Sequence, residues 1–547
     1  MPCSPVLSTS IESQVQVAIR RTVVDSLSEL LTKHVHEQPQ RIAVATSDLR
    51  TVISYRQLDT LVRSAAAQLS SMGMGRGDTV ALVSDNSADF VVGFLAIVSL
   101  GVRVAPLNPA LTSNELSTRV SALSAKVVLF SKHETRQLEN RNSAAGSAAR
   151  WIISIEGSGS ASTVSIVSAD ARIPKADANG QKHLPNIQRD DVAVVMFTAG
   201  STSAPKAVPL THGNIVESIH GISSVYNLSP RDATLVVMPL FHGHGLVGGL
   251  LSTLASGGGA YLPSTGAFSA HSFWPDMARV GATWYTAVPT IHRILVSRAP
   301  QEYPSSSPVA LRFIRSCSAP LDESLAAAIS VAFGAPMIAA YGMTETSHQT
   351  TSNPLPDRGP NKTPSAGLPT GVELRIVADD GRDAGTGTVG EVWVRGATVT
   401  AGYLNDPNAN SASFIAGWFR SGDLGSRDAD GYLFVKGRLK EIINRGGEKI
   451  SPNEIDTVLL SNPSVLEAAS FGEPDSIYGE NVHAAVVLRP GAHVSEEELQ
   501  EYCRSALSGF EVPERIHIVA GLPRTAKGSI DRHALAGQFS IHTAGSR

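Results

Sequence analysis

The chain has 547 residues, of which 42% are hydrophobic and 17% are charged, and its formal net charge is −4. This length predicts about three or four domain-sized units, and the apolar fraction argues against a disordered chain. The near balance of 45 basic and 49 acidic residues argues against nucleic acid as a partner, because nucleic-acid-binding proteins need a basic excess.

The three cysteines, Cys3, Cys317 and Cys503, are far apart and form no CxxC pair. This pattern argues against a zinc cluster or a disulfide framework and suits a reducing compartment. The N-terminus has neither the basic nor the apolar region of a secretory signal, and the longest apolar stretch, 90–102, is too short to span a bilayer. We therefore expect a cytoplasmic protein with no membrane span. Its oligomeric state is not predicted.

Apolar runs typical of strands recur along the first part of the chain, and several are followed by helix-like segments. This alternation predicts an α/β fold with mainly parallel sheets, covered by helices on both faces. The predicted strands are 79–83, 126–130, 151–155, 192–197, 234–238, 283–288 and 311–314, and the predicted helices include 90–102, 215–222 and 325–333.

Two stretches are predicted to be less regular. Residues 134–182 are rich in Ser, Ala and Gly, so much of this segment is expected to be a surface insertion. Residues 245–263 contain six glycines and are expected to form a glycine-rich loop followed by a helix.

The composition changes near residue 370. Strands at 372–377 and 391–395, joined by turn-rich sequence, predict a small β unit. After Gly437 the pattern becomes compact α+β, with a strand at 482–488 and a helix opened by the capping box Ser495-x-x-Glu498. We predict a large N-terminal domain, 1–437, and a small C-terminal domain, 438–547.

The strongest local motif lies within 194–214, where an apolar strand enters Thr198-Ala-Gly-Ser-Thr-Ser203 and then Ala-Pro-Lys206. Small and hydroxylated residues let the backbone approach a polyphosphate, and the lysine supplies positive charge. The loop lacks the G-K-[ST] of a Walker A motif. The alternative is a Ser/Thr-rich surface turn. The predicted phosphate-binding residues are Thr198, Gly200, Ser201, Thr202, Ser203 and Lys206.

Two further patterns have simpler explanations. Residues 385–390 match GxGxxG, but a strand follows them, whereas a dinucleotide site needs a helix there. They are predicted to be a turn between strands. His242 and His244 are expected to share one side of an extended segment. A metal pair is conceivable, but no third ligand cluster is obvious, so a structural or substrate-facing role is favoured.

Two later segments carry nucleotide-binding chemistry. Tyr341-Gly-Met-Thr-Glu345 follows an apolar run, and an aromatic ring, a hydroxyl and a carboxylate suit a nucleotide and Mg²⁺. The alternative is a helix cap. Asp423 and Arg438 flank a turn-rich hairpin, and they could bind ribose and phosphate. The alternative is an Asp–Arg ion pair between two turns.

These segments, taken together and in this order, resemble the AMP-forming adenylating superfamily, and within it the oxalate–CoA ligases of plants and fungi and their bacterial acyl-CoA ligase relatives. The likeness covers residues 25–540. It is carried further by MPLFHGHGLVGGLLSTLASGG, FWPDMARVGATWYTAVPTIH, LRFIRSCSAPL and EIINRGGEKISPNEID. The resemblance implies a carboxylate substrate, ATP, Mg²⁺ and coenzyme A. A carboxylate attacks the α-phosphate of ATP to give acyl-AMP and pyrophosphate, and the CoA thiol then displaces AMP.

The resemblance also implies residue roles. Tyr341 would stack on adenine, Thr344 would touch the α-phosphate, and Glu345 would hold Mg²⁺. Asp423 would bind ribose with Arg438 beside it. Lys440 would be the hinge about which a mobile C-terminal domain rotates, Gly446 and Gly447 would line the pantetheine tunnel, and His242 would gate the acyl and CoA channels.

The chain departs from the family pattern at two places. Ala199, Ser203 and Ala207 stand where the family commonly has Ser or Gly. Ser529 stands where the family places its adenylation lysine, whereas Lys527 lies two residues earlier. Lys527 is predicted to supply that cation. The alternative is an ordinary surface lysine.

The function predicted is a stand-alone acyl-CoA ligase acting on a small dicarboxylate such as oxalate. A medium- or long-chain fatty acid, a separate carrier protein as acceptor, and a degenerate nucleotide-binding protein remain alternatives. A diacid needs a polar pocket, and five side chains are expected to converge there: Arg315, Ser316, Ser318, His292 and His242.

Overall fold

The computed structural model describes residues 26–134, 148–157, 161–169, 186–198, 205–304, 308–524 and 530–543. Within these residues the strands form four sheets. The predicted α/β architecture is confirmed, with three sheets formed by residues up to Arg438 and one sheet after it. A boundary at 437 and 438 stays a prediction.

The first sheet has the strand order β16-β15-β14-β13-β12-β10-β11-β1-β2. Its central neighbours are parallel, and both of its edges are antiparallel. Its strands are β1 (Ile42–Thr46), β2 (Val52–Ser54), β10 (Ala233–Leu235), β11 (Gly259–Leu262), β12 (Trp284–Ala287), β13 (Phe313–Ser316), β14 (Met337–Tyr341), β15 (Thr351–Ser352) and β16 (Leu368–Pro369).

The second sheet has the order β7-β6-β5-β3-β4-β8-β9 and is also parallel in its middle. Every residue of β3 and β5 is buried, as expected for parallel strands that helices cover on both faces. Its strands are β3 (Thr79–Val83), β4 (Arg103–Leu107), β5 (Val127–Ser131), β6 (Ala149–Glu156), β7 (Thr163–Ser168), β8 (Val192–Phe197) and β9 (Ala207–Thr211).

The third sheet is the small antiparallel β unit, and the fourth belongs to the C-terminal part. The GxGxxG segment lies between the antiparallel strands β17 and β18, so its prediction as a turn is confirmed. The third sheet comprises β17 (Val372–Val377), β18 (Gly390–Gly396), β19 (Phe414–Ile415), β20 (Trp418–Arg427) and β21 (Leu433–Arg438). The fourth comprises β22 (Ile443–Arg445), β23 (Glu448–Ile450), β24 (Val465–Asp475), β25 (Gly479–Leu488) and β26 (Arg515–Ile518).

The helices pack on the sheet faces. The capping box at Ser495 and Glu498 is present, as predicted. The α-helices are α1 (Thr32–Glu37), α2 (Tyr55–Ser71), α3 (Ala88–Ser99), α4 (Ser113–Ala122), α5 (His212–Val225), α6 (Ser252–Ala255), α7 (Ala270–Val280), α8 (Pro289–Glu302), α9 (Glu323–Phe333), α10 (Pro407–Ser413), α11 (Pro452–Ser461), α12 (Glu496–Arg504) and α13 (Arg532–Thr543). A π-helix spans His244–Leu251, and 3₁₀ turns span Leu27–Glu29, Lys132–Glu134, Thr344–Thr346 and Leu439–Glu441. In the described part of the chain, none of the helices is long and apolar enough to cross a membrane.

Three predictions of local structure were wrong. Gly245 was expected to begin a loop, but it lies in the buried π-helix. His244 begins the same π-helix and is therefore not part of an extended segment. The strand predicted at 234–238 is shorter, because β10 ends at Leu235. Beyond it, the carbonyls of Val236 and Met238 accept hydrogen bonds from the side-chain amide of Asn86 and not from a neighbouring strand. The predicted strand 151–155 is confirmed, because it lies within β6, and β6 and β7 extend the second sheet.

Candidate active site

The candidate site lies beyond the carboxyl ends of β12, β13 and β14, which are parallel neighbours in the first sheet. Parallel strands present their carboxyl ends at one edge, and ligands bind there in α/β proteins. Tyr341 ends β14, and Arg315 lies near the end of β13. The segments that the sequence singled out therefore meet at this edge.

Tyr341, Asp423 and Arg438 form one contact group. The Tyr341 hydroxyl donates to Oδ2 of Asp423 over 2.6 Å, and Nε of Arg438 lies 3.0 Å from Oδ1. Asp423 and Arg438 are directly opposed in the β20–β21 ladder. Burial raises the pKa of Asp423, while Arg438 and the Tyr341 hydroxyl oppose that rise. The ion pair is present, and it fixes an aromatic ring beside a buried carboxylate, as a nucleoside site requires.

Lys206 and Glu345 are joined through Tyr403. The Lys206 ammonium lies 4.4 Å from the centre of the Tyr403 ring, and the Tyr403 hydroxyl donates to Oε1 of Glu345 over 2.8 Å. The strand ladder holds Thr198 against Lys206, because the Thr198 amide donates to the Lys206 carbonyl over 2.9 Å. Gly200, Ser201, Thr202 and Ser203 lie outside the described residues.

The donor set around Glu345 fits a magnesium ion and a triphosphate. Thr344 and Glu345 share the 3₁₀ turn after β14, and both are partly accessible. Mg²⁺ prefers carboxylate and hydroxyl oxygens and is normally shared with substrate phosphates. Lys206 adds a positive charge on the same side through Tyr403. The geometry therefore suits phosphate and metal binding between Lys206 and Glu345.

Arg315 is fully buried and is surrounded by uncharged groups. Its Nε donates to the Tyr226 hydroxyl over 2.9 Å, and its Nη1 donates to the Thr286 hydroxyl over 3.0 Å. Its Nη2 lies 3.0 Å from both Nε2 of His348 and Oε1 of Gln349. No carboxylate forms an ion pair with Arg315 among the described residues. A buried cation with neutral partners raises the local positive potential, which favours an anion nearby.

Hydrogen bonds link Arg315 to an exposed hydroxyl. Thr286 accepts from Arg315, and its hydroxyl oxygen also lies 2.6 Å from Nε2 of His244, within hydrogen-bond distance. Burial, with the charges of His348 and Arg315, lowers the pKa of His244 well below its usual value. Nδ1 of His244 lies 3.1 Å from Oγ of Ser318, on the opposite side of the ring from Thr286, so the imidazole bridges the two hydroxyls. Ser318 is exposed, and its hydroxyl hydrogen can serve a ligand.

Glycines allow these groups to assemble. A Cβ on Gly248 would lie 2.5 Å from Nε2 of His348, so the π-helix can approach the His348–Arg315 pair only because this residue has no side chain. A Cβ on Gly342 would lie 1.6 Å from the carbonyl oxygen of His348. Ser347 and His348 both have positive φ values, 54° and 88°, and this unfavourable turn brings the His348 ring back over the sheet.

The expectation that five side chains converge on one pocket needs correction. Successive strand residues point to opposite faces. Ser316 therefore faces away from the side that Arg315 and Thr286 share. His292 is buried on that opposite side, with its ring 5.6 Å from Tyr285. Arg315 and Ser318 belong to the cluster, whereas Ser316 and His292 do not. His242 is half-buried and packs on Phe241.

The predicted hinge and CoA residues follow the third sheet in the chain. Lys440 is exposed in the 3₁₀ turn directly after β21. Gly446 and Gly447 form the two-residue turn between β22 and β23, with φ values of 60° and 95°. Both values favour glycine in such a hairpin. Lys527 and Ser529 lie outside the described residues.

Sequence reasoning missed Thr286, His348, Gln349 and Tyr403. His348 and Gln349 lie three and four positions after Glu345, so the motif could have been extended to include them. Tyr403 had no local signal, since its link to Glu345 spans 58 positions.

Comparison with known proteins places these features in a family. The AMP-binding enzyme model matches residues 31–404, and the model for the C-terminal domain of AMP-binding enzymes matches 454–529. The oxalate–CoA ligase of Arabidopsis thaliana is 43% identical over 520 residues, covering 94% of this chain and 99% of that protein. The oxalate–CoA ligase of Saccharomyces cerevisiae is 37% identical over 522 residues, covering 91% and 95%. The crystal structure of ATP-bound MatB from Rhodopseudomonas palustris superposes with a TM-score of 0.82 at 26% identity, covering 94% of this chain and 99% of that one.

Proposed function

The chain belongs to the AMP-binding enzyme family and is an AMP-forming CoA ligase, and we propose that its acid substrate is a small dicarboxylate such as oxalate. The observation that carries this proposal is the buried Arg315 with its neutral partners. The similarity to two oxalate–CoA ligases supports it.

A dianionic acid would gain from this arrangement in two ways. Its second carboxylate could accept the hydrogen of Ser318, whose oxygen lies 3.1 Å from Nδ1 of His244. Arg315 is buried, so it would act as a positioning residue whose charge raises the potential through His244 and His348. A charge in a weakly polar environment acts more strongly than in water. An acid with a long apolar tail would leave these polar groups without partners, which costs binding energy.

The nucleotide would occupy the opposite side of the site. Tyr341 would stack on adenine, Asp423 with Arg438 would bind ribose, and residues 198–206 would surround the phosphates. Thr344 and Glu345 would hold Mg²⁺, which would balance charge that develops on the phosphates. Lys440 would serve as the hinge, Gly446 and Gly447 would border the CoA thiol's path, and His242 would stand at the entrance to the acyl side. A cytoplasmic location is part of the same proposal.

A carboxylate panel tests the substrate proposal. Pyrophosphate release and acyl-CoA formation would be measured with oxalate, malonate, succinate, acetate, octanoate and palmitate. We expect kcat/KM for oxalate or another short diacid to exceed that for acetate by at least about 100-fold, roughly 2.7 kcal/mol in transition-state binding. Omitting CoA while adding a carrier protein tests the other acceptor. A preference for octanoate or palmitate would refute the proposal.

Two variants test whether Ser318 and Arg315 contribute to binding of the acid. Ser318→Ala removes the exposed hydroxyl at the end of the chain of hydrogen bonds and should raise KM for oxalate while leaving KM for MgATP unchanged. Arg315→Met keeps an unbranched side chain but removes the charge, so its folding must be checked by circular dichroism. Ser316→Ala is the matched control, because Ser316 points to the opposite face and should leave selectivity unchanged.

A further inference from the structure

Arg524 joins the C-terminal part of the chain to the N-terminal domain. Its Nη1 donates to Oγ1 of Thr290 over 3.1 Å, and its Nη2 forms an ion pair with Oε1 of Glu467 over 2.5 Å. Thr290 lies in the first turn of α8, whereas Glu467 lies on β24 of the fourth sheet. One guanidinium therefore connects two elements that a rotation at Lys440 would separate.

Arg524 also stands at the base of the segment that contains Lys527. The backbones of Arg524 and Ile530 pair in an antiparallel bridge. Paired residues of this kind have Cα atoms only about 5 Å apart. A contact that fixes Arg524 therefore also holds Ile530, which lies three positions after Lys527 in the sequence.

Thr290 lies close to the acid side of the site along the chain. It follows Thr286, the residue that joins Arg315 to His244, by four positions. β12 runs directly into α8, so Thr290 lies at the same carboxyl edge of the first sheet. A contact there brings the small domain against the edge where the acid would react.

We propose that Arg524 is a positioning residue for acyl-adenylate formation, because it holds β24 of the small domain against Thr290 of α8. This proposal depends on the ligase reaction proposed above. Glu467 pins the guanidinium to the small domain, so little side-chain freedom is lost when it meets Thr290. The contact would form while the acid is adenylated and would break when the small domain turns for attack by CoA.

A second contact between the two parts provides a matched control. Lys449 on β23 forms an ion pair with Asp379, which follows β17, over 2.5 Å, but their side chains are 58% and 82% exposed. Water and salt screen such a pair, so it contributes little. The side chains of Arg524 and Glu467 are only 29% and 22% exposed. Lys449→Ala should therefore change neither half-reaction by more than about twofold.

The test uses Thr290→Val, Arg524→Ala and the double variant in the full-length chain. Thr290→Val keeps the shape of the side chain and removes only the hydroxyl. We expect acyl-adenylate formation to fall about three- to tenfold in Thr290→Val, in keeping with loss of one charge-assisted hydrogen bond. Thioester formation from synthetic acyl-AMP should stay near its normal rate. The double variant should be no slower than Arg524→Ala alone, because both changes remove the same contact.

A structural readout separates this inference from the ligase reaction. Hydrogen exchange of the backbone amides at the start of α8 and in β24 should become faster in Thr290→Val, independently of any substrate. Equal loss in both half-reactions, additive effects in the double variant, or unchanged exchange would each overturn the proposal. A wild-type chain that forms no acyl-adenylate with any acid would instead refute the ligase proposal and, with it, the catalytic role of Arg524, and faster exchange would then show only a structural contact.

Discussion

Tyr403→Phe tests the link between the proposed phosphate loop and the proposed metal site. The substitution keeps the ring beneath Lys206, 4.4 Å from its ammonium, and removes only the hydroxyl that donates to Glu345 over 2.8 Å. Tyr403 is 7% exposed, so the ring should stay in place against Phe414. The loss should therefore be confined to one hydrogen bond to a carboxylate.

The size of the effect follows from the accessibility of Glu345. Hydrogen bonds to charged groups contribute about 1.5–3 kcal/mol, but a partly accessible carboxylate recovers some of that from water. We expect a loss of about 1 kcal/mol, which corresponds to roughly a fivefold rise in KM for MgATP. The free energy of unfolding should fall by a similar amount.

The assay is pyrophosphate release at saturating acid with MgATP varied, together with urea unfolding of the same preparations. Tyr403→Leu is the companion variant, because it also removes the aromatic face beneath Lys206 and should raise KM further. An unchanged KM for MgATP together with lowered stability in Tyr403→Phe would contradict this link, since Tyr403 would then be a packing residue only.

Four further predictions follow, and the first three concern residues that the sequence singled out. Glu345→Gln should lower adenylate formation at least tenfold with the fold intact, and unchanged turnover at limiting Mg²⁺ would contradict a metal role. Lys440→Pro should spare adenylation and block thioester formation, because proline fixes φ where a hinge must turn; parallel losses would argue against a hinge. Lys527→Ala should slow acyl-AMP formation but not thioester formation from synthetic acyl-AMP, and equal rates in the first assay would leave the cation unidentified. Burial lowers the pKa of His212 and His292 to about 4, so both take up a proton on unfolding below pH 6.5. Their contribution to the free energy of unfolding is complete above pH 6.5 and is lost as the pH falls toward 4. Urea unfolding should show a loss of about 2 kcal/mol between pH 7 and 5.5, and His212→Asn should halve this loss.

The fold was largely predictable because continuous apolar strands carry a strong signal. β3, β8 and β17 begin and end at the predicted residues. The π-helix was missed because its glycines disfavour helices locally. Gly245 is needed there for packing, since a Cβ would lie 2.3 Å from the carbonyl oxygens of Met238 and Pro239. Only the tertiary structure shows that need.

The site was predictable where its residues form short motifs. Tyr341, Asp423 and Arg438 were chosen from separate segments, and the structure brings them into contact. The acid side was harder, because grouping Ser316 with Arg315 ignored the alternation of strand faces. His348 reaches Arg315 only through two consecutive residues with positive φ, which no propensity favours.

The ion pair between Asp423 and Arg438 has a mechanical consequence. It ties the last residue of β21 to β20, two positions before Lys440. If the small domain turns at Lys440, the twist is stopped at Arg438 and cannot spread into the strand that carries Asp423. The pair would then hold β20 and β21 in place while the small domain rotates. The nucleoside part of the acyl-adenylate would stay bound while the small domain changes its position. The enzyme would then exchange one reaction partner for another without releasing the adenylate between the two steps.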